Sequence, residues 1–100
     1  MAELTSKQRQ YLKGLAMALK PVVQVGAAGV TDGVLGAVDE ALETHELIKV
    51  RVAKEYEGDA RASVATELAA GARAQLCQTI GRIVVLYRPR KNEPSIRLPG

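Results

Sequence analysis

A chain of 100 residues, 47% hydrophobic and 25% charged, has the composition of one soluble domain and is too short to form two hydrophobic cores. No apolar run approaches the roughly 20 residues that a membrane-spanning helix requires, and the N-terminal residues lack the apolar segment of a secretory signal. The single cysteine, Cys77, cannot form an internal disulfide, which fits a reducing compartment. We therefore expect a cytoplasmic protein that makes no contact with membranes.

The net charge of +3 is unevenly distributed along the chain. Residues 1–29 contain four basic residues and one acidic residue, residues 30–68 contain four and nine, and residues 69–100 contain six and one. Two basic ends around an acidic middle would produce a polarised surface if the ends meet in space. The alternative is solvated charge scattered over all faces.

The first predicted helix begins with a capping box formed by Thr5 and Gln8, and it must end before Pro21. One side is apolar and is expected to face the core; it consists of Tyr11, Leu12, Leu15 and Leu19. The other side carries a basic stripe formed by Arg9 and Lys13. Lys20 also belongs to this stripe if the helix extends to it. Such a stripe could bind an acidic ligand, although it is also common on any protein surface.

The residues from Pro21 to Val25 predict a strand, because proline ends the helix and three valines favour the pleated state. The GAAG loop, residues Gly26 to Gly29, follows, and Thr31 can cap the next helix. A strand that turns through such a loop into a helix exposes backbone N–H groups in front of the positive end of a helix dipole. The loop is therefore a candidate phosphate site, or else a tight turn that simply needs glycine dihedral angles.

The remaining elements follow from hydrophobic periodicity and turn residues. They are a helix near 31–45, a strand over 47–53, a helix that Asp59 can cap and Gly71 can close, and strands over about 73–80 and 83–87. Gly81-Arg82 predicts a two-residue hairpin of type II′, and the near-continuous apolar run after it predicts a strand inside the sheet. Beyond it lies a basic exit, residues 88–91, and residues 95–98 could add a short edge segment.

The predicted order is therefore αβαβαββ, an α/β (α+β) fold with a four-stranded mixed sheet and packed helices. We expect one domain over residues 1–100, with a core at about 4–89 and a basic extension over 90–100.

No set of residues in the sequence has the spacing expected of a catalytic or metal-binding site. His45 continues an apolar stripe at the end of a helix and is expected to be a packed or capping residue, whereas Cys77 lies within a strand and is expected to be a packing residue. The sequence contains no GxSxG, P-loop or GxGxxG motif. We therefore expect a protein without enzymatic activity, cofactor or small-molecule substrate, and look for its function in binding.

Eight short motifs, spread from about residue 5 to residue 89, together resemble the YhbY-like family, the stand-alone bacterial form of the CRM (chloroplast RNA splicing and ribosome maturation) domain. They are Lys7-Gln8-Arg9, Leu12-Lys13-Gly14-Leu15-Ala16, Leu19-Lys20-Pro21-Val22-Val23, Val25-Gly26-Ala27-Ala28-Gly29-Val30-Thr31, Ala41-Leu42-Glu43, His45-Glu46-Leu47-Ile48-Lys49-Val50, Ile80-Gly81-Arg82 and Val85-Leu86-Tyr87-Arg88. The resemblance implies an RNA-binding domain with a fold similar to the C-terminal domain of translation initiation factor 3. It also implies association with ribosomal RNA in precursors of the large ribosomal subunit, and RNA contact through the GxxG loop.

The chain departs from the family inside that loop, where Ala27 and Ala28 stand in place of the common lysine or polar residue. Neighbouring basic residues would then have to supply the missing charge. The candidate RNA-binding residues are Arg9, Lys13, Lys20, Gly26, Ala27, Ala28, Gly29, Thr31, Arg88 and Arg90. We expect a monomer; the rival hypothesis is an adaptor that docks a basic protein on the acidic side of the second helix.

Overall fold

Backbone hydrogen bonding in a computed structural model, which describes residues 3–100, defines three helices and four strands. They are α1 (Ser6–Ala16), β1 (Pro21–Val25), α2 (Asp32–His45), β2 (Leu47–Val52), α3 (Asp59–Ala72), β3 (Gln75–Ile80) and β4 (Ile83–Tyr87). The predicted order αβαβαββ is confirmed. None of these three helices is both long enough and apolar enough to cross a lipid bilayer.

The four strands form one mixed sheet in the order β1-β2-β4-β3. β1 pairs with β2 in parallel, and the other two pairs are antiparallel. β4 lies between two neighbours, and Val84, Val85 and Leu86 are fully buried, as the apolar run predicted. The hairpin between β3 and β4 has two residues, and Gly81 has the positive φ (+54°) that a type II′ turn requires at this position.

Alternating side chains divide the sheet into two faces. On the first face, Ile48, Val50 and Val52 of β2 pack in a cluster with α2 and α3. On the second face, Leu47, Cys77, Val85 and Tyr87 pack with α1 and with the C-terminal residues Ile96 and Leu98. The burial of one such aliphatic side chain contributes about 1.5–3 kcal/mol, so both clusters stabilise the fold.

The predicted buried side of α1 is largely wrong. Leu12 is fully buried as expected, but its partner in the core is Ala16, whereas Tyr11, Leu15 and Leu19 are 37–43% exposed. The reason is that the sheet and the C-terminal residues contact only a narrow strip of the helix, so the outer flank stays in solvent. That strip also explains why Arg9 and Lys13 are half-buried beside Leu12 instead of lying opposite the core.

Both predicted ends of α3 shift because of glycine. Gly58, with a φ of +53°, precedes the helix, and Asp59 is its first residue without capping it through its side chain. At the other end α3 continues past Gly71 to Ala72, and the C-cap residue Arg73 has a left-handed φ of +56°. A Cβ atom on Gly71 would lie 2.8 Å from Leu35 Cδ2, so this glycine allows α2 and α3 to pack closely instead of ending the helix.

The C-terminal residues form no strand, which corrects the expected edge segment at 95–98. They are held instead by Glu46, which is fully buried and follows α2 with a φ of +65°. Its carboxylate accepts hydrogen bonds from the backbone N–H groups of Arg90, Ser95 and Ile96 at 3.0, 2.6 and 3.1 Å. A buried carboxylate thus fixes the segment that covers part of the second face.

Candidate nucleic-acid interface

The GAAG loop is a closed turn between β1 and α2. The Gly29 N–H donates to the Gly26 carbonyl at 3.0 Å, and the hydroxyl of Thr31 caps α2 by accepting from the Val34 N–H at 3.1 Å. The N–H groups of Ala27 and Ala28 make no hydrogen bond within residues 3–100. The loop therefore offers free backbone donors beside a helix N-terminus, the arrangement that favours anions.

Gly29 has a φ of +81°, which confirms the prediction that one of the two loop glycines adopts a conformation unfavourable for other residues. Tyr56 supports the loop from behind, because its hydroxyl donates to the Ala27 carbonyl at 2.9 Å. A Cβ atom on Gly29 would lie 3.1 Å from the same hydroxyl oxygen. The sequence analysis missed Tyr56, which stands in a polar loop with no local pattern linking it to a loop 29 residues earlier.

Three basic residues that the sequence analysis did not select lie on one side of the loop, beside Gly26. Arg51, Lys54 and Arg82 line an open cleft together with Gly26. Arg82 reaches it from the β3–β4 hairpin, where its Nε donates to the Val52 carbonyl at 3.0 Å. None of the three forms an ion pair within residues 3–100, although Glu55 also lines the cleft. The end of the sheet that carries this cleft and the GAAG loop is called the loop end below.

Arg9 and Lys13 lie on the second face, which also carries Arg51 because it alternates with Val50 and Val52. Burial raises the pKa of the Cys77 thiol to about 11, and the positive charges of Arg9 and Lys13 act against this rise. Cys77 is part of β3, so these two basic side chains lie close to that strand. Cys77 is buried, as predicted for a packing residue. The four strands contain no acidic residue, so the uncovered part of the second face is either neutral or basic.

Lys20 is not brought to the loop. It precedes Pro21, whereas the GAAG loop follows Val25, and a strand of this length separates the two ends by about 13 Å. The expected continuous surface from Arg9 and Lys13 through Lys20 to the loop is therefore corrected, because Lys20 lies at the opposite end of β1.

Arg88 and Arg90 also lie away from the loop, at the end of β4 that pairs with the start of β2. Arg88 bridges Asp39 at 2.8 Å and Glu43 at 3.2 Å, and it donates to the Ala72 carbonyl at 2.7 Å. It thereby ties β4 to α2 and α3 and neutralises much of the acidic side of α2 on which the adaptor hypothesis depends.

Arg90 has structural partners of its own. Its side chain donates to the carbonyls of Thr44 and Glu93 and to the hydroxyl of Ser95. These contacts help to hold the C-terminal segment and leave the side chain half-buried.

Comparison with known proteins gives one consistent result. The chain is 46% identical over 99 residues to the "RNA-binding protein" of Haemophilus influenzae, covering 99% of this chain and 98% of that protein. It is 46% identical over 96 residues to the "Probable RNA-binding protein YqeI" of Bacillus subtilis, covering 96% and 99%. The solution structure of the hypothetical protein SAV1595 from Staphylococcus aureus has a similar fold, with a TM-score of 0.83, 38% identity and coverage of 96% and 99%.

The family comparison agrees with the motifs in the sequence. The profile of the CRS1 / YhbY (CRM) domain matches residues 4–88, which includes α1, the GAAG loop and all four strands. The chain therefore belongs to the CRS1 / YhbY (CRM) domain family.

Proposed function

We propose that this protein is a non-catalytic RNA-binding protein that uses the loop end of its sheet. The observation that carries the proposal is the GAAG loop with its free Ala27 and Ala28 N–H groups, next to a cleft in which Gly26 lies beside three basic residues without an ion pair within residues 3–100: Arg51, Lys54 and Arg82. The names of relatives that cover nearly the whole chain support RNA as the ligand. Membership of the CRS1 / YhbY (CRM) family supports it as well.

Phosphate groups are the part of RNA that this surface suits. The loop has no charged side chain, so its amides would position a phosphate while the surrounding arginine and lysine side chains neutralise it. Arg9 and Lys13 extend the basic surface across the second face toward β3. None of these basic side chains forms an ion pair within the described residues, so each is free to contact a phosphate.

Base stacking contributes little in this proposal. Tyr87 is buried, and Tyr56 is half-buried with its hydroxyl bound to the loop. Tyr11 is 43% exposed but lies on the flank of α1 opposite Arg9. A surface that offers basic side chains and backbone amides, but no available aromatic side chain, favours recognition of the shape and backbone of RNA. It does not favour the binding of splayed-out nucleotide bases.

We further propose that the RNA is ribosomal and that the protein acts in the cytoplasm on precursors of the large ribosomal subunit. This setting is what the resemblance to the YhbY-like family implies, whereas the names of the relatives speak only of RNA binding. Crosslinking in cells followed by sequencing of the bound RNA tests it, with large-subunit precursor RNA expected as the main product. A crosslinked pool dominated by other RNA classes would contradict the ribosomal setting while leaving RNA binding intact.

RNA binding itself is tested with purified protein and a structured RNA. Changing Arg51 and Arg82 together to glutamine should weaken binding strongly, whereas Arg73→Gln should not, because Arg73 is exposed at the end of α3 far from the loop. Equal effects of the two variants would argue against the loop end as the site. If the protein bound no purified RNA but retained a basic protein, the adaptor hypothesis would replace the proposal.

A further inference from the structure

One row of side chains crosses all four strands at the loop end of the sheet. Arg51 of β2 pairs with Gln24 of β1 on one side and with Ile83 of β4 on the other. Ile83 pairs in turn with Ile80 of β3. Residues that pair directly across neighbouring strands point to the same face, and Ile83 packs against the cluster on the second face. The second face therefore carries this row, called the open row below: Gln24, Arg51, Ile83 and Ile80.

The open row is left largely uncovered by residues 3–100. Ile80 is 53% exposed, the two polar members of the row are also exposed, and Ile83 is half-buried. The side-chain amide of Gln24 makes no hydrogen bond within the described residues. α1 and the C-terminal residues cover the other end of this face, where Leu47 pairs with Tyr87. The sheet thus presents an open strip that is three strand intervals, or about 14 Å, across.

Positive groups stand at both margins of the open row. On the β1 side lies the GAAG loop, whose Gly26 lines one cleft with Lys54 and with the two polar members of the row. On the β3 side, Arg9 and Lys13 lie close to the strand, about 10 Å before its member of the row. Among residues 3–100, Glu55 is the one acidic residue in the cleft, and the strands contain none. The strip therefore separates two positive margins, which suit a ligand with two lines of negative charge.

A flat strip of this width discriminates among nucleic-acid shapes. Single strands bind largely by stacking their nucleotide bases on aromatic side chains, and the open row contains none. Major grooves are deep, and the minor groove of B-form DNA is only about 6 Å wide, so a flat strip about 14 Å across enters none of them. The minor groove of an RNA duplex is wide and shallow, with a phosphate backbone on each side. Of these surfaces, it is the one that matches the open row and its margins.

We propose that the RNA bound by this protein is double-stranded, with the open row against its minor groove and the two positive margins on the phosphates of its two strands. The inference rests on the proposed RNA binding and specifies the class of RNA. In this arrangement the Gln24 amide bonds to a ribose 2′-hydroxyl, which can donate and accept, while Ile80 packs against sugar carbons. Because DNA lacks the 2′-hydroxyl, this contact also distinguishes RNA from DNA.

The test measures the affinity of the full chain for three ligands at one salt concentration. They are an RNA duplex of about 16 base pairs, the span of double-stranded RNA-binding domains, one of its strands alone, and a DNA duplex of the same sequence. The single strand is chosen without self-complementary stretches, so that it forms no duplex of its own. We expect the RNA duplex to bind at least about tenfold more tightly than the single strand and than the DNA duplex.

Two pairs of variants locate the contact. Ile80→Glu should weaken binding of the RNA duplex about tenfold or more, because it places a carboxylate in the groove between the phosphates. Thr79→Glu makes the same change of charge on the same strand, but Thr79 is exposed and pairs with Val84 on the first face, so its effect should be small. Gln24→Ala should reduce the preference for the RNA duplex over the DNA duplex about fivefold, the effect of one hydrogen bond. Gln10→Ala, at an exposed position on α1, should keep that preference.

Three outcomes would overturn this inference and leave RNA binding intact. The first is a single strand that binds as tightly as the RNA duplex, and the second is a DNA duplex that does so. The third is an equal effect of Ile80→Glu and Thr79→Glu, in variants that thermal unfolding shows to be folded. Failure to bind either RNA would instead overturn the proposed function itself, and this inference with it.

Discussion

Two single residues adopt left-handed backbone conformations at positions that shape the candidate site and its surroundings, Gly29 in the GAAG loop and Glu46 after α2. For Gly29→Ala we expect a loss of about 1–3 kcal/mol in the free energy of unfolding, because a Cβ atom is strained at this φ and would also approach the Tyr56 hydroxyl. Gly26→Ala is the matched control, since Gly26 has no atom within 4 Å of an added Cβ and no positive φ. Urea denaturation measures both.

The same pair of variants separates stability from binding at the loop. Both should weaken RNA binding, because each adds a side chain beside the amides that face the phosphate. Since Gly26→Ala is expected to remain as stable as the parent, its loss of affinity would report the loop contact directly. Unchanged RNA affinity in Gly26→Ala would count against a phosphate bound at the loop.

Glu46 predicts a pH dependence of stability. Burial raises the pKa of its carboxyl, but hydrogen bonds from the backbones of Arg90, Ser95 and Ile96 outweigh this and leave the pKa below its ordinary value of 4.5. A lowered pKa in the folded state stabilises the protein above the unfolded pKa, and that contribution is lost as the pH falls through the folded pKa. Acid should therefore release the C-terminal segment.

The variant Glu46→Gln tests this contribution. We expect it to cost about 2–4 kcal/mol near neutral pH, because an amide cannot replace a buried carboxylate that accepts three hydrogen bonds. Its unfolding free energy should fall less steeply than that of the parent below pH 4.5, where the parent loses the same interaction. Glu57→Gln, at an exposed site, should keep the parental pH profile. Parallel profiles for Glu46→Gln and the parent would refute the role of Glu46.

At the scale of elements, α1 is the helix whose surface decides how RNA could be held. Arg9 and Lys13 share the second face with Arg51, whereas Lys20 lies beyond the helix at the far end of β1. Each basic side chain that neutralises a phosphate contributes about 0.7–0.9 to the magnitude of the negative slope of log affinity against log salt concentration. Arg9→Ala and Lys13→Ala should therefore each reduce the slope by about one unit.

Lys20→Ala is the control for that measurement and should keep the parental slope. Titrations of one structured RNA at several salt concentrations provide the slopes. If Lys20→Ala lowered the slope as much as Arg9→Ala, the RNA would also have to contact the start of β1, where Lys20 lies. The RNA-binding site would then extend beyond the loop end, contrary to the proposal.

At the scale of the whole molecule, the candidate contacts come from four places that are distant in sequence: α1, the GAAG loop, the end of β2 with its following loop, and the β3–β4 hairpin. Four or five phosphate contacts from these residues predict a salt slope of roughly −3 to −4.5. Because no aromatic side chain is available for stacking at the loop, unrelated structured RNAs should bind with similar slopes. Affinity that barely changes between low and moderate salt would show that phosphate contacts do not dominate binding.

Local patterns in the sequence were sufficient to predict the order of elements, the Gly81-Arg82 hairpin, the buried β4 and the GAAG turn. These features depend on periodicity, capping and glycine dihedral angles within a few residues of each other. The family resemblance, which the comparisons confirmed, likewise rested on short ordered motifs.

The tertiary structure alone decided which residues could act together. It exposed Tyr11, because the sheet and the C-terminal residues contact only a narrow strip of α1. It also paired Arg88 with Asp39, which is 49 residues earlier. It also brought Arg82 to the loop while leaving Lys20 at the other end of β1. Burial and charge pairing depend on which faces of the sheet meet which helices, and no spacing along the chain encodes that arrangement by itself.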